Sequence, residues 1–382
     1  ITAGRAVSGA SLAPVLHPAT TWSVASVDDH RRDARAPRST SYYSRYGSPT
    51  VHEFEDAVAE LEGAECALAT SSGMAAITAV VLGLCSAGDH VVTTRQQFSV
   101  SSAFFTAHCP RFGIEVTFVD GTDAGAIAAA AAARPTQLVY AETPANPALT
   151  LVDLAALGSI TGPFTVVDST FAGPVVQRPL DHGVDLVVHA ATKGMAGHND
   201  ALLGVLAGRR EIVEAVWGWH VVAGGQASPF DAWNGIRGLR TLPIRARRQA
   251  ETALHLARLL EAHPAIARVS YPGLDSHPQR QLARRQMATG GTVLAVELAG
   301  GLTAATTFVE SCHLARLALS LGGPETLLTH PASTMPGLHP SERAELDVGD
   351  GLVRISVGLE HADDIEADLR QALDVATARS AP

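Results

Sequence analysis

The chain is almost without lysine. Lysine and arginine together number 28 in 382 residues, and all but one are arginine; the exception is Lys193. Cysteine is sparse too, with four residues. Cys66, Cys85, Cys109 and Cys312 show no CxxC spacing, which excludes a zinc ribbon and a disulfide framework and leaves them as small core residues. A basic excess is missing too. Acidic residues number 38 and the formal net charge is −10, which excludes a nucleic-acid binder built on a basic stripe. No apolar run approaches the roughly 18 residues of a membrane span, and no charged-then-apolar signal pattern opens the chain, so a cytoplasmic protein is expected. The first residue is Ile1 rather than Met, consistent with a short leader ahead of it. The 16 histidines are scattered, and His182 and His189 lack a carboxylate or cysteine companion to complete a ligand set, so no metal site is expected.

What is present is a large apolar fraction. Hydrophobic residues make up 46%, which excludes disorder, and the length suggests two or three domains. Against that background the solitary lysine carries information. Arginine keeps its proton in a protein, whereas lysine can lose it and become a nucleophilic amine when buried or placed near other cations. A chance survivor of the arginine bias is the plain alternative; the chemical reading is Schiff-base formation.

Residues 1–60 are polar and irregular, with Arg31, Arg32, Arg35 and Arg38 followed by a Tyr/Ser/Gly/Pro stretch from Ser39 to Thr50. They read as an extended arm leading into a helix over Val51–Glu62, reaching a neighbouring subunit. Over 61–245, short apolar runs alternate with helical stretches. Strands are expected at Cys66–Ala69, His90–Thr93, Glu115–Val119, Leu138–Glu142, Thr165–Asp168, Asp185–His189 and Leu202–Ala207, and helices at Met74–Cys85 and Ala124–Ala133. Runs with few polar alternations separated by helices predict an α/β fold with a mostly parallel sheet buried on both faces. Over 246–382 the pattern becomes a smaller α+β domain. A long helix at Ile244–Ala262 leads into it, with strands at Ala267–Tyr271, Thr292–Glu297 and Leu352–Val357 and a last helix at Ala362–Ala378.

Ligands of open α/β sheets sit at the carboxyl ends of the strands. Four predicted strand ends carry polar residues. The first runs into Thr70-Ser71-Ser72-Gly73-Met74, a helix start whose N–H groups can cradle a phosphate, or an ordinary N-cap. Another ends Glu142-Thr143-Pro144-Ala145-Asn146-Pro147, a rigid turn presenting Asn146. A third ends in Asp168-Ser169-Thr170-Phe171, and the fourth runs into Ala190-Ala191-Thr192-Lys193-Gly194. A lysine amine, a carboxylate on another strand end and a phosphate-type helix start together match the needs of pyridoxal phosphate. No GxGxxG follows the first strand, and no Walker-type GxxxxGK[ST] is present, so nicotinamide and nucleoside triphosphate readings fail.

These motifs, with Tyr43-Ser44-Arg45, Ser228-Pro229-Phe230-Asp231-Ala232-Trp233, Tyr271-Pro272-Gly273-Leu274, Ser320-Leu321-Gly322-Gly323 and Arg354-Ile355-Ser356-Val357-Gly358, run in order through nearly the whole chain. The sequence resembles the Cys/Met-metabolism family of pyridoxal-phosphate enzymes, fold type I, which includes cystathionine γ-synthase, cystathionine γ-lyase and methionine γ-lyase. The resemblance implies that Lys193 forms the Schiff base and that Asp168 partners the pyridine nitrogen. It implies phosphate N–H groups from Gly73 and Met74, a hydroxyl from Thr192, and Ser72 and Thr170 in the same cofactor site. Tyr43 and Arg45 would reach that phosphate from the neighbouring subunit of a homotetramer built as a dimer of dimers. Arg354, with Ser320 and Asn146, would hold the carboxylate of an amino acid substrate.

The sequence departs from the family pattern at four places. Phe98 stands where a stacking tyrosine is usual; it can stack but cannot move a proton, which leaves Tyr43 as the nearest candidate for that task. Ala190 replaces a phosphate-binding serine, and Val100 replaces the cysteine usual in methionine γ-lyases. Leu319 stands where enzymes acting on cystathionine often carry a glutamate, and an apolar group leaves a distal ammonium unpaired, at a cost of a few kcal/mol if that ammonium is buried, favouring a small thioether such as methionine. The Ser228–Trp233 stretch looks more like the cystathionine enzymes. The activity expected is α,γ-elimination on methionine or cystathionine; the alternative is γ-replacement of the cystathionine γ-synthase or O-acylhomoserine sulfhydrylase type. A family-derived protein that binds the cofactor without useful catalysis is the non-enzymatic reading that Phe98 and Ala190 suggest.

Overall fold

The computed structural model describes residues 12–38, 42–335 and 339–380. Seven strands form the larger sheet: β1 (Cys66–Thr70), β2 (His90–Thr94), β3 (Glu115–Val119), β4 (Leu138–Glu142), β5 (Phe164–Asp168), β6 (Leu186–His189) and β7 (Gly204–Gly208). Their spatial order is β1-β7-β6-β5-β4-β2-β3. Only β7 runs against its neighbours; β2 through β6 pair in parallel, so β1 and these five all point to one rim. Parallel pairing requires a crossover for each strand, which puts helices on both faces and removes the polar face an exposed sheet would show. The sixth strand illustrates this. Leu186 and Val188 pack with Ile77, Val80 and Phe105 on one side, while Val187 packs with Phe54 and Val58 on the other.

Five further strands make the second sheet: β8 (Ile266–Ser270), β9 (Val293–Leu298), β10 (Arg316–Leu317), β11 (Leu327–Thr329) and β12 (Leu352–Ser356), in the order β10-β11-β12-β9-β8. Leu256 and Leu260 of the helix Leu242–Glu261, Phe308 of Gly301–Ser311 and Leu369 of Ala362–Ser380 cover it. A fully buried Leu or Phe side chain contributes roughly 1.5–3 kcal/mol, so this second core is substantial in its own right.

The expected strands all form, with ends within about two residues. Two strands were not anticipated, because β10 and β11 are only 2 and 3 residues long and too short to show a period. The polar stretch read as irregular contains a helix, Val27–Arg35. Ser26 caps it by accepting from the Asp29 N–H, its first turn is acidic and its last turn basic. It buries only Asp33, so its signal lies in capping and charge rather than in apolar spacing. Residues 1–11 and 39–41 of the predicted arm lie outside the described residues. From Leu12 onward the arm lies on its own chain: Trp233 Nε1 donates to Pro14 O (2.9 Å) and Arg240 Nη1 to Leu12 O (2.8 Å). Cys85 and Cys109 are buried as expected, whereas Cys66 and Cys312 are half-buried; all four thiols are free. Among the described residues no helix is long and apolar enough to cross a membrane.

Candidate active site

The rim where β1, β4, β5 and β6 end carries Ser72, Gly73, Asn146, Asp168, Thr170 and Lys193. Ser72 caps the helix Gly73–Leu84, accepting from the Ala75 N–H at 3.1 Å. Gly73 at its start lies against Ala190: a Cβ there would come within 2.6 Å of the Ala190 side chain. The helix start and the exit of β6 are therefore in contact, and a residue larger than alanine at 190 has little room toward Gly73.

Lys193 follows that exit. Its Nζ donates to Ser320 Oγ at 2.9 Å, from the loop preceding β11. Burial, and then the Arg354 charge, lower its pKa from the ordinary lysine value, which favours the free amine. Backbone bonds hold the segment, with Thr192 N–H donating to Leu203 O and Lys193 N–H to Ala190 O. Thr192, predicted to face a phosphate, uses its hydroxyl on Leu203, donating to the carbonyl at 3.1 Å and accepting from the N–H at 2.8 Å. Ser320 has a φ of 98°, a conformation that costs a non-glycine residue of order 1–3 kcal/mol and that aims its hydroxyl at the lysine.

Arg354 on β12 is buried. Its Nη1 donates to Asn146 Oδ1 (2.9 Å) and its Nη2 to Ser320 O (2.9 Å) and Thr329 Oγ1 (3.2 Å). Its Nε is buried with no hydrogen-bond partner among the described residues. Burial pushes the guanidinium down to about 10, so it remains charged at neutral pH.

Asp168 is buried where β5 ends. It accepts from Thr170 N–H at 2.9 Å and from the Tyr140 hydroxyl at 3.3 Å. Burial raises its pKa, against the pull of the Thr170 bonds and of His189. Thr170 in turn accepts the Ala190 N–H at 2.8 Å, tying the ends of β5 and β6 together. Glu142, one strand over, accepts from Phe98 N–H (2.7 Å) and Asn146 N–H (2.8 Å). Burial and the Asp168 charge push it upward.

Lys193, Ser320, Arg354 and Asn146 thus form one hydrogen-bonded set, and Asp168 and Thr170 join the adjoining strand ends. Phe98 and Leu319 are open to solvent, 40% and 71% exposed. Tyr43 and Arg45 lie elsewhere. Tyr43 bridges to Thr21, Arg45 stacks 5.1 Å over the Tyr43 ring, and neighbouring Tyr46 packs on Trp217. Among the described residues no hydrogen bond or ring contact joins either of them to Lys193, Asp168 or Arg354.

Four contributors escaped the sequence reading. Tyr140, Glu142 and Thr329 look like ordinary strand residues until their partners are known. Arg245, buried without a carboxylate, donates to Gly194 O (2.9 Å), Met195 O (3.2 Å) and Gly238 O (2.8 Å), clamping the turn after Lys193. His189, which showed no companion in sequence, bonds Glu62 at 2.6 Å in the core, a buried pair rather than part of a ligand cluster. One signal was available: charged residues inside otherwise apolar runs must find partners when buried.

These groups suit pyridoxal 5′-phosphate. A half-buried amine whose pKa is lowered can bond its aldehyde, a buried carboxylate can hold a proton on its ring nitrogen, and a capped helix start can meet its phosphate. The doubly covered parallel sheet with a second, smaller sheet and this donor set define a fold type I pyridoxal-phosphate enzyme. The structure superposes on a cystathionine gamma synthase from Xanthomonas oryzae pv. oryzae, solved in complex with aminoacrylate and cysteine, with a TM-score of 0.90 and 37% identity, covering 96% of this chain and 94% of that one. The sequence is 44% identical to an O-succinylhomoserine sulfhydrylase of Pseudomonas aeruginosa over 87% of this chain and 83% of the relative. It is 40% identical to an L-methionine gamma-lyase of Treponema denticola over 95% of this chain and 92% of that one. Residues 2–374 match the Cys/Met metabolism PLP-dependent enzymes, and the chain belongs to that family.

Proposed function

We propose that the protein catalyses α,γ-elimination on a sulfur amino acid, with a methionine-sized thioether favoured over cystathionine. With water, the substrate gives 2-oxobutyrate, ammonia and a thiol: the Cγ–S bond breaks, the sulfur leaves with its electron pair and takes up a proton, and water cleaves the C=N bond of the resulting imine, its oxygen becoming the keto group and the nitrogen leaving as ammonia. The observation that carries the proposal is the half-buried Lys193 amine, 2.9 Å from the hydroxyl of Ser320, whose chain neighbour is the apolar, exposed Leu319. Bound pyridoxal phosphate supplies the electron sink that acidifies the substrate's α- and β-hydrogens. Asp168 keeps the proton on the ring nitrogen, with Tyr140 and Thr170 holding its oxygens. Arg354, steadied by Asn146, Ser320 and Thr329, presents its Nε edge to the substrate carboxylate, and Lys193 moves the proton at Cα. Ser72, Gly73 and Met74 belong to the phosphate side, whereas Thr192, its hydroxyl committed to Leu203, holds the turn before Lys193. Leu319, 71% exposed, is assigned to the distal end of the substrate, where it gives a second ammonium no ion-pair partner and leaves it in water. Tyr43 and Arg45 are assigned to the site of a neighbouring subunit in a tetramer, which accounts for their separation from Lys193 here. The division into an arm (1–60), a cofactor-binding part (61–245) and a C-terminal part (246–382) belongs to the same proposal, supported by the two separate sheets.

Phe98 favours a second reading, γ-replacement on an O-acylhomoserine. A carboxylate leaving group, with a conjugate-acid pKa near 4, departs without a proton donor, whereas a thiolate near 8.5 benefits from one. Phe98 offers no such donor. The experiment is a panel of methionine, cystathionine and O-succinylhomoserine with purified, cofactor-loaded protein, with and without an added thiol, measuring 2-oxobutyrate and thiol together. Ketoacid from methionine without added thiol supports elimination. Thioether formed only from O-succinylhomoserine plus thiol overturns it in favour of replacement. Borohydride reduction should label Lys193, and an unlabelled 193 peptide overturns both.

A further inference from the structure

We propose that Glu142 is a positioning residue for this reaction, a single buried carboxylate that sets the spacing between the Phe98 wall and the Asn146–Arg354 pair. The inference rests on Arg354 receiving the substrate carboxylate, as proposed above. Glu142 ends β4 at 3% exposure, and each of its oxygens serves a different loop: Oε2 accepts from Phe98 N–H at 2.7 Å, Oε1 from Asn146 N–H at 2.8 Å. Phe98 begins the helix Ser99–Ala103 with no side-chain cap, so the bond to Glu142 fixes the backbone at that point. Asn146 in turn accepts from Arg354 Nη1, Arg354 Nη2 donates to Ser320 O, and Ser320 Oγ accepts from Lys193. The line from Phe98 to the Lys193 amine is therefore unbroken, and Glu142 is its only member that touches both walls.

The chemistry of the side chain explains why a carboxylate stands there. Two N–H donors from separate loops need two acceptor oxygens on one planar group. A glutamine has one oxygen and would turn an NH2 toward the other N–H. An aspartate is a methylene shorter and cannot span the same gap from the same backbone. Glu142 makes no direct ion pair among the described residues, and the Arg354 charge acts on it without a contact. Its two bonds go to the site.

The test is E142Q, compared with the wild type in two states. In the apoprotein, amide exchange at Phe98 and Asn146 should be slow in the wild type, and at least tenfold faster at one of the two in the variant. In the cofactor-loaded protein, binding of L-norleucine and of its methyl ester is followed by the cofactor's absorbance. Norleucine carries the carboxylate but has no γ-heteroatom to lose, so turnover does not enter. The dissociation constant of norleucine should rise at least tenfold in E142Q while that of the ester changes less than twofold. General softening of the fold would weaken both equally, and that result overturns the proposal, as does an unchanged norleucine constant. If E142Q does not fold, rapid exchange at either amide of the wild-type apoprotein overturns it and slow exchange at both supports it. Failure of the wild type to make 2-oxobutyrate bears on the reaction and leaves this comparison intact.

Discussion

Replacing Arg354 by lysine keeps the charge and removes the geometry. In the structure three of the five N–H donors go to Asn146, Ser320 and Thr329, which leaves Nε, buried and without a partner, and the second hydrogen of Nη1. A carboxylate held bidentately would use the Nε edge and one neighbouring nitrogen. Lysine has a single nitrogen, which cannot serve Asn146 and Ser320 from one position and has no counterpart to Nε. The substrate then loses at least one charge-assisted hydrogen bond, about 1.5–3 kcal/mol. At 1.36 kcal/mol per factor of ten, the KM for the amino acid should rise roughly 10- to 150-fold. Because the same bond is made before and during reaction, kcat should move much less. The assay is steady-state ketoacid release from whichever substrate the panel identifies, beside a thermal melt to show that the variant is folded. A folded Arg354→Lys enzyme with KM within threefold of the wild type would refute the reasoning, since it would mean the carboxylate does not use this guanidinium.

Three further outcomes are expected. Tyr140→Phe removes the hydroxyl that donates to Asp168 at 3.3 Å, a long bond to a buried carboxylate; at about 1.4 kcal/mol the affinity for pyridoxal phosphate should fall roughly tenfold, read by cofactor release on dilution. Phe98→Tyr restores a proton donor near the leaving group, so methionine elimination should quicken at least tenfold, about one part of the usual general-acid contribution, while reaction of O-succinylhomoserine should not. Burial drives His220 down to about 4, so the folded protein resists a proton that the unfolded chain accepts from about pH 6.5 downward. Stability present above pH 6.5 is then lost as pH falls toward 4, by a total on the order of 3 kcal/mol. His220→Gln should flatten the thermal midpoint over that interval, and an unchanged slope would count against a neutral buried imidazole.

Much of the architecture was legible before folding because it rests on local patterns. Runs such as Leu138–Val139–Tyr140–Ala141, short, apolar and containing β-branched and aromatic residues, read as strands buried on both faces, and their spacing by helical stretches points to mostly parallel pairing. The lone Lys193, the Asp168 strand end and the Ser72–Gly73 helix start could be read together for the same reason: each is a residue type at a place where open α/β sheets bind ligands. The helix Val27–Arg35 was missed because its capping by Ser26 and its end charges, not an apolar stripe, define it. β10 and β11 were missed because two or three residues carry no period.

The sequence by itself determined which groups were available: one amine able to lose a proton, a handful of carboxylates in apolar surroundings, and helix starts with donors to spare. Only the tertiary structure decided which of these meet. Ser320 and Lys193 lie 127 positions apart, and Asn146 and Arg354 lie 208 apart, yet each pair is hydrogen-bonded at 2.9 Å. Burial then altered their chemistry, lowering the Lys193 pKa and committing the oxygens of Glu142 to two loops. Neither effect is local. Desolvation and hydrogen-bond partnership depend on what the rest of the chain brings within a few ångströms, and that is a property of packing rather than of sequence order.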